Sequence, residues 1–326
     1  MSNPAQSATP KILLVGQQDR DIDFSWLYQH VESLDYVVVE TLNKKSIKAL
    51  PSTLKRLNHS HYDRVILDLP FAKVVRFTQF LQTINGLIVF EEDACQNFLP
   101  ESRWHGAFAT YYKSLPNAQI IVTGHGTAKR LAAQGIASRV IPKGFDQSVL
   151  RNDGSRRDIE LGFIGRTRSA VYSQRRALLD AVDKAIGVKL LRTESRAEYN
   201  SALNRIQMFL SADMGIGEYM AKNFEAMACG CTVIASKQGD GEESALGFSD
   251  MENIVLYESA EEAIDKIRQL QKQPELAAKI AAAGEQHVRN NFSHQHIADQ
   301  LIALARAPFT AATARKPTWI ERLSLR

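Results

Sequence analysis

The chain has 326 residues, 44% of them hydrophobic, 23% charged and 8% aromatic, so it is globular and long enough for two domains, each with its own core. Its net charge is only +4, and the segment from Arg306 to Arg326 alone carries that excess, in Arg306, Arg315, Lys316, Arg322 and Arg326 against Glu321. The body is near neutral, which argues against a nucleic-acid partner, because that would need a basic face on a folded domain. Cys95, Cys229 and Cys231 match neither a disulfide framework nor a zinc site, and fit a reducing compartment. No apolar run approaches the ~20 residues that span a bilayer.

In chain order, MSNPAQSATP over 1–10 is polar, lacks the basic start and apolar core of a secretory signal, and reads as a disordered leader. From residue 11 short β-rich runs alternate with helical stretches. The strands are KILLVG from Lys11, YVVVET from Tyr36, RVILDL from Arg64, GLIVF from Gly86, QIIVTG from Gln119 and SRVIP from Ser138. The spacing predicts helices over Ser46–Leu57, Phe71–Gln82 and Thr127–Gln134, lengths that suit right-handed crossovers in a parallel sheet. The segment IPKGFD at Ile141–Asp146 and the polar run RNDGSRRD close this first domain, with a boundary near Leu150.

The rhythm then restarts over 151–305 with IELGFIG from Ile159, a helix over Tyr172–Ala185, VKLLR from Val188, IQMFLSAD, and NIVLY from Asn253. Between the last two lies the most informative stretch, Asp213–Ser236, DMGIGEYMAKNFEAMACGCTVIAS. Gly215 and Gly217 relax the backbone before a helix, Gly230 ends that helix as a left-handed cap, and CTVIAS has the β-branched content of a buried strand. Such a unit can receive phosphate at its helix N-terminus. Three helices finish the domain: Ala260–Gln271, Glu275–Asn290 after Pro274, and one whose N-cap is Ser293. The two α/β halves share no detectable sequence repeat.

The run Phe224–Gly230, FEAMACG, resembles the donor-sugar motif of glycosyltransferases of the GT-B fold, most closely their group 1 families, and IPKGFD resembles the segment that closes the first domain in the same enzymes. The resemblance implies two Rossmann-like, doubly wound domains facing a cleft, an acceptor domain over 11–150 and a nucleotide-sugar donor domain over 151–305, the final helix running back toward the first domain. It also implies that Glu225 holds the ribose hydroxyls of the donor. Many retaining members carry a second Glu eight positions earlier; that position is Gly217 here, with Glu218 seven before Glu225, so both stereochemical outcomes stay open. An Arg or Lys at the turn after the strand that opens the second domain contacts the donor diphosphate in related enzymes. That makes Arg166 the first candidate, Lys222 a second cation, and Gly165 and Asn223 their companions. The fixed fork of a guanidinium suits a diphosphate.

Arg168, Arg175 and Arg176 read instead as loop or helix-surface charges. Sugar transfer with inversion needs a base at the cleft edge of the first domain. Asp93 is preferred, then Glu92, because carboxylates crowded at a strand end raise one another's pKa; Asp19, on the turn after the first strand, is third. His125 in TGHGTA occupies a turn. His294 and His296, two apart on a helix, do not face one another and make no metal pair. No metal site and no cofactor is expected, the nucleotide-sugar being a co-substrate whose diphosphate meets Arg, Lys and helix amides.

The expected activity is transfer of a sugar from a nucleotide-sugar to a saccharide, lipid-linked saccharide or protein hydroxyl in the cytoplasm. The basic tail, 306–326, carries Trp319, Ile320, Leu323 and Leu325; it could touch the inner face of a membrane or pack on the first domain. A sugar-nucleotide epimerase or phosphorylase, or a degenerate protein that binds a nucleotide-sugar or a partner without turnover, can use the same architecture.

Overall fold

A computed structural model describes residues 9–167 and 173–309; most of the leader, Arg168 and nearly all of the basic tail lie outside the described residues. In the first half the elements are β1 (Ile12–Gln17), α1 (Asp21–Glu32), β2 (Val37–Leu42), α2 (Lys44–Lys48), α3 (Leu50–Arg56), β3 (Arg64–Asp68), α4 (Phe71–Val74), α5 (Thr78–Leu81), β4 (Leu87–Glu91), α6 (Ala107–Lys113), β5 (Gln119–Val122), α7 (His125–Ala133) and β6 (Arg139–Val140). The second half holds β7 (Ile159–Ile164), α8 (Ser173–Ala185), β8 (Lys189–Leu191), α9 (Arg196–Arg205), β9 (Ile206–Leu210), α10 (Ala221–Ala228), β10 (Thr232–Ser236), α11 (Glu242–Leu246), β11 (Val255–Tyr257), α12 (Ala260–Lys272), α13 (Pro274–Asn291) and α14 (His294–Arg306).

These strands form two all-parallel sheets, ordered β2-β1-β3-β4-β5-β6 and β11-β10-β9-β7-β8. Counted from its own first strand, the second sheet has the same order as the first five strands of the first: strand 2 on one side of strand 1 and strands 3, 4 and 5 on the other. Each sheet therefore has a switch point, between β1 and β3 and between β7 and β9, where successive crossovers leave in opposite directions and open a crevice at the strand ends. The fold is GT-B: two Rossmann-like halves of one topology.

Three predicted helices differ from those observed. The stretch over Ser46–Leu57 is two helices, broken at Ala49 (φ −114°, ψ 36°), because Pro51 lacks an N–H and enters only in the first turn of a new helix. The stretch over Phe71–Gln82 is two α-helical turns separated by a 3₁₀ turn at Val75–Phe77. The helix near Thr127 starts two residues earlier, at His125.

Burial follows the two-faced pattern of an α/β sheet. On one face of the first sheet Leu13, Val15, Val65, Leu67 and Val89 pack on Leu50, Leu54, Phe71 and Phe108. On the other, Ile12, Leu14, Ile66, Ile88 and Ile121 pack on Leu27 and Val31 of α1 and on Ile297, Ala298, Leu301, Ile302 and Ala305 of α14. The last helix, though it follows the second domain in sequence, is thus a layer of the first. The chain crosses between domains twice, and the crossings are tied by backbone hydrogen bonds: Phe145 N–H donates to Phe292 C=O (3.1 Å) and His294 N–H to Phe145 C=O (2.9 Å).

If α14 is part of the first domain's core, Leu301→Ala should destabilise the protein by ~2–5 kcal/mol, the usual cost of emptying a fully buried Leu site. Chemical denaturation of the two proteins should show the midpoint fall. A shift under ~0.5 kcal/mol would mean that the helix docks loosely.

Candidate active site

Between the two switch points lies an open cleft of about 950 Å³. The second domain contributes Ile164, Gly165 and Arg166 from the end of β7, Arg192, Thr193, Glu194 and Ser195 from the loop after β8, Arg196 and Tyr199 from α9, and Ala221, Lys222 and Glu225 from α10. The first contributes Phe24 of α1 and Glu92 after β4, and the crossings contribute Lys143, Gly144, Asp146 and His294. Five cations and four carboxylates face one another in this cleft.

Glu225 is the fifth residue of α10, where Tyr199 Oη donates to its Oε2 (2.5 Å). This bond fixes the carboxylate from a helix 26 residues earlier in sequence. Lys222, one turn before Glu225, passes beneath Gly165 and donates to Ile164 C=O (2.6 Å). Burial pulls its pKa down, and the neighbouring cations add to that, while Glu225 opposes them. Asp213 and Asn223 stiffen the base of this unit: buried Asn223 Nδ2 donates to Asp213 (2.8 Å), whose other oxygen accepts Ser236 N–H (3.1 Å). Burial outweighs these bonds and raises Asp213 to about 6. Gly230 has φ +75° and ends α10 as the left-handed cap its position required.

Gly165, Arg166, Lys222, Glu225 and Glu92 thus come together in the cleft, whereas the other candidate residues are placed elsewhere. Asn223 is wholly buried behind Asp213. Asp93 is exposed at the start of the 3₁₀ turn over Ala94–Phe98, its N–H donating to Glu91 (3.0 Å), and does not line the cleft. Asp19 lies on the surface near Lys44 (3.5 Å) and accepts from Gln17 (3.3 Å). Arg175 donates to Ala212 C=O (3.0 Å), and Arg176 pairs with Asp180 on the exposed side of α8. Among the described residues no cluster of three His, Cys, Asp or Glu side chains is suited to a metal ion.

Glu218 has a different position from any its spacing implied. Its side chain, 1% exposed, crosses to the first domain, where Lys143 donates to it and Thr123 and Thr127 hydroxyls lie within 3.3 and 3.2 Å. Burial alone would lower the Lys143 pKa, but the Glu218 carboxylate outweighs it and holds Lys143 firmly protonated. Beside this pair, Glu242 accepts the Gly126 N–H (2.9 Å) at the N-terminus of α7, and Asp240 pairs with Lys129 (3.3 Å) and Arg130 (3.1 Å). The glycines of TGHGTA are the reason these loops can meet: a Cβ on Gly124 would lie 2.4 Å from Glu218 Oε2, and one on Gly126 2.8 Å from Gly217 C=O. Gly217 itself has φ +80°, and a Cβ there would lie 3.3 Å from the Arg130 guanidinium, so a glutamate there would be strained and would crowd that side chain.

Residues 158–303 match the family described as "Glycosyl transferase-like". No curated protein sequence matches the chain. Among solved structures, sucrose-phosphate synthase from Thermosynechococcus elongatus superposes with a TM-score of 0.70 at 14% identity, over 90% of this chain and 98% of that one. Anabaena HepE, determined in complex with UDP and glucose, gives 0.71 at 14% identity over 92% and 100%. A glycosyltransferase from Rickettsia africae gives 0.60 at 14% over 91% and 98%. The two sheets with their shared cleft are those of the GT-B class. The family's sequence pattern is carried by the second domain, and the fold of the two domains together is that of the solved structures they superpose on.

Two outcomes follow from the interdomain contacts. Burial, reinforced by Glu218, raises Glu242 from its usual 4.5 to about 7 against the pull of the Gly126 N–H. A carboxyl whose folded pKa is raised contributes stability that is complete below its unfolded value and is lost as pH rises through the folded one. Glu242 therefore makes the protein less stable at pH 8 than at pH 5, by at most ~3 kcal/mol. Melting temperatures measured across that window should fall less steeply for Glu242→Gln than for wild type; parallel curves would remove Glu242 as the cause. Restoring the second glutamate by Gly217→Glu should cost ~1–2 kcal/mol of stability through the positive φ, read as a lower melting temperature with no gain in turnover.

Proposed function

We propose that the protein transfers a sugar from a nucleotide-sugar donor to a hydroxyl of a saccharide or lipid-linked saccharide acceptor, without a metal or other cofactor. The observation that carries this reading is the Glu225–Tyr199–Lys222–Arg166 group at the β7/β9 switch point, which offers a diol acceptor and two cations at one end of a cleft. At about 950 Å³ this cleft stands at the upper end of the ~300–1,000 Å³ of ligand pockets. Glu225, held by Tyr199, would accept the two ribose hydroxyls. The N-terminus of α10, Lys222 and Arg166 would take the charge that develops on the leaving diphosphate, with Arg192 at the rim. Desolvation of Lys222 suits this, because a poorly hydrated ammonium gains most from an arriving anion.

HepE, whose structures hold UDP, UDP with glucose and UDP-glucose, supports a uridine nucleotide as the first donor to try. Glu92 is the carboxylate from the first domain that lines the cleft and is the residue to test as base; Asp93 and Asp19 stand outside that lining. No helix among the described residues is long and apolar enough to cross a membrane, and the reading places the reaction in the cytoplasm, where nucleotide-sugars are made.

The test is a thermal-shift series over nucleotides and nucleotide-sugars, on wild type and Glu225→Ala. One nucleotide family should raise the wild-type melting temperature by several degrees at ~100 times its Kd, equivalent to about 2.7 kcal/mol, and Glu225→Ala should lose most of that gain. Turnover with the stabilising donor should survive EDTA. Absence of a shift with any nucleotide would remove the donor reading; loss of turnover with EDTA would remove metal independence alone.

A further inference from the structure

The cleft has a second built corner that the donor reading leaves unused. His294 opens α14 where the two crossings are tied together, its backbone N–H bonded to Phe145 C=O, so the ring is held at a rigid point. That ring is only 5% exposed and stacks on Phe24 of α1, with centroids 5.1 Å apart and planes at 14°; both rings line the cleft. Nδ1 is buried and has no hydrogen-bond partner among the described residues, and no described side chain or backbone group bonds Nε2. Burial, with Arg196 adding and Asp146 opposing, lowers its pKa to about 4, so the imidazole is neutral in use. A neutral ring both stacks and hydrogen-bonds, and an unsatisfied buried nitrogen gains from any hydroxyl that reaches it.

We infer that Phe24 and His294 form the acceptor subsite and that the acceptor is a saccharide: the apolar C–H face of a sugar ring against the aromatic pair, with a ring hydroxyl bonded to the imidazole. The inference rests on the donor reading, which fills the opposite end of the same cleft, and it narrows the acceptor to a carbohydrate. One feature selects a carbohydrate over a peptide. The wall offers side-chain rings and a single imidazole, and an extended peptide would instead pair with a free strand edge.

The probes are methyl glycosides of the common hexoses and 2-acetamido-hexoses, added to protein saturated with whichever nucleoside diphosphate the donor screen selects. Ligand-observed saturation-transfer NMR should show one or a few of them bound to wild type. His294→Phe keeps the stacked ring and removes both nitrogens, so it should weaken glycoside binding about tenfold while the nucleotide Kd changes less than about twofold. Phe24→Leu should weaken the same glycoside, with its ring C–H protons losing saturation most. Binding of no glycoside by a protein that binds nucleotide would overturn the acceptor inference and leave the donor reading standing. Equal glycoside affinity in His294→Phe would overturn it too. If His294→Phe weakens nucleotide instead, the ring belongs to the donor's base or ribose, which also overturns it. If no nucleotide binds wild type, the donor reading falls, and the glycosides added to the free protein judge this corner by itself: binding sensitive to His294→Phe upholds a carbohydrate site there, and its absence removes one.

Discussion

The rest of the structure depends on the double crossing at Phe145 and Phe292–His294. Two backbone hydrogen bonds there join segments almost 150 residues apart, and a Cβ on neighbouring Gly144 would lie 2.3 Å from Phe292 C=O, so the approach is as close as two chains can make it. From this knot three things follow. The chain re-enters the first domain with α14 in register to cover one face of its sheet. Lys143 and Asp146 emerge on one strand of the knot and His294 on the other, all facing the cleft. Asp146, buried and bonded to Ser148, also accepts Arg196 of α9 (3.1 Å), so the knot orients the helix whose Tyr199 holds Glu225.

Beside the knot the domains also meet through carboxylates. Glu218, Glu242 and Asp240 of the second domain are received by Lys143 and two hydroxyls, by the amides that open α7, and by Lys129 and Arg130. The first two are almost fully buried. A buried ion pair adds little net stability over an apolar pair, because desolvation offsets the attraction, but removing one partner leaves an uncompensated charge. The Glu218–Lys143 contact is therefore better understood as fixing how the domains meet than as a source of stability. It also links the two domains at the cleft, since Lys143 lines the cleft and Glu218 lies on the loop that leads into α10.

The departure of the sequence from the two-glutamate pattern has a physical basis in the same contact. Gly217 takes a left-handed backbone and passes close to α7 and Arg130, so the loop that carries a second cleft glutamate in related enzymes here turns its one carboxylate, Glu218, into the interdomain seam. The second domain's glutamates in the cleft are Glu194 and Glu225, the latter held by Tyr199.

Local signals in the sequence determined much of this protein. Short apolar, β-prone runs identified all eleven described strands as wholes or parts, and Gly230, Pro274 and Ser293 marked helix ends, because strand propensity, left-handed caps and N-caps act within a few residues of themselves. The FEAMACG unit placed Glu225 and Lys222 one turn apart on a helix entering the cleft, and GFIGR placed Arg166 at the end of β7, for the same reason. What tertiary structure alone decided is where side chains on separate segments converge. Nothing near Tyr199 announces that it will bond Glu225, nothing near Glu218 that it will cross to Lys143 and Thr123, and His294 reads as an ordinary helix-start residue until α14 lays it on Phe24. Asp93 and Glu92, adjacent in sequence and equal candidates on charge, part company because successive residues leaving a strand point to opposite sides: Glu92 enters the cleft and Asp93 faces solvent. Chain periodicity sets which residues share a face, whereas the packing of loops from two domains sets which faces meet.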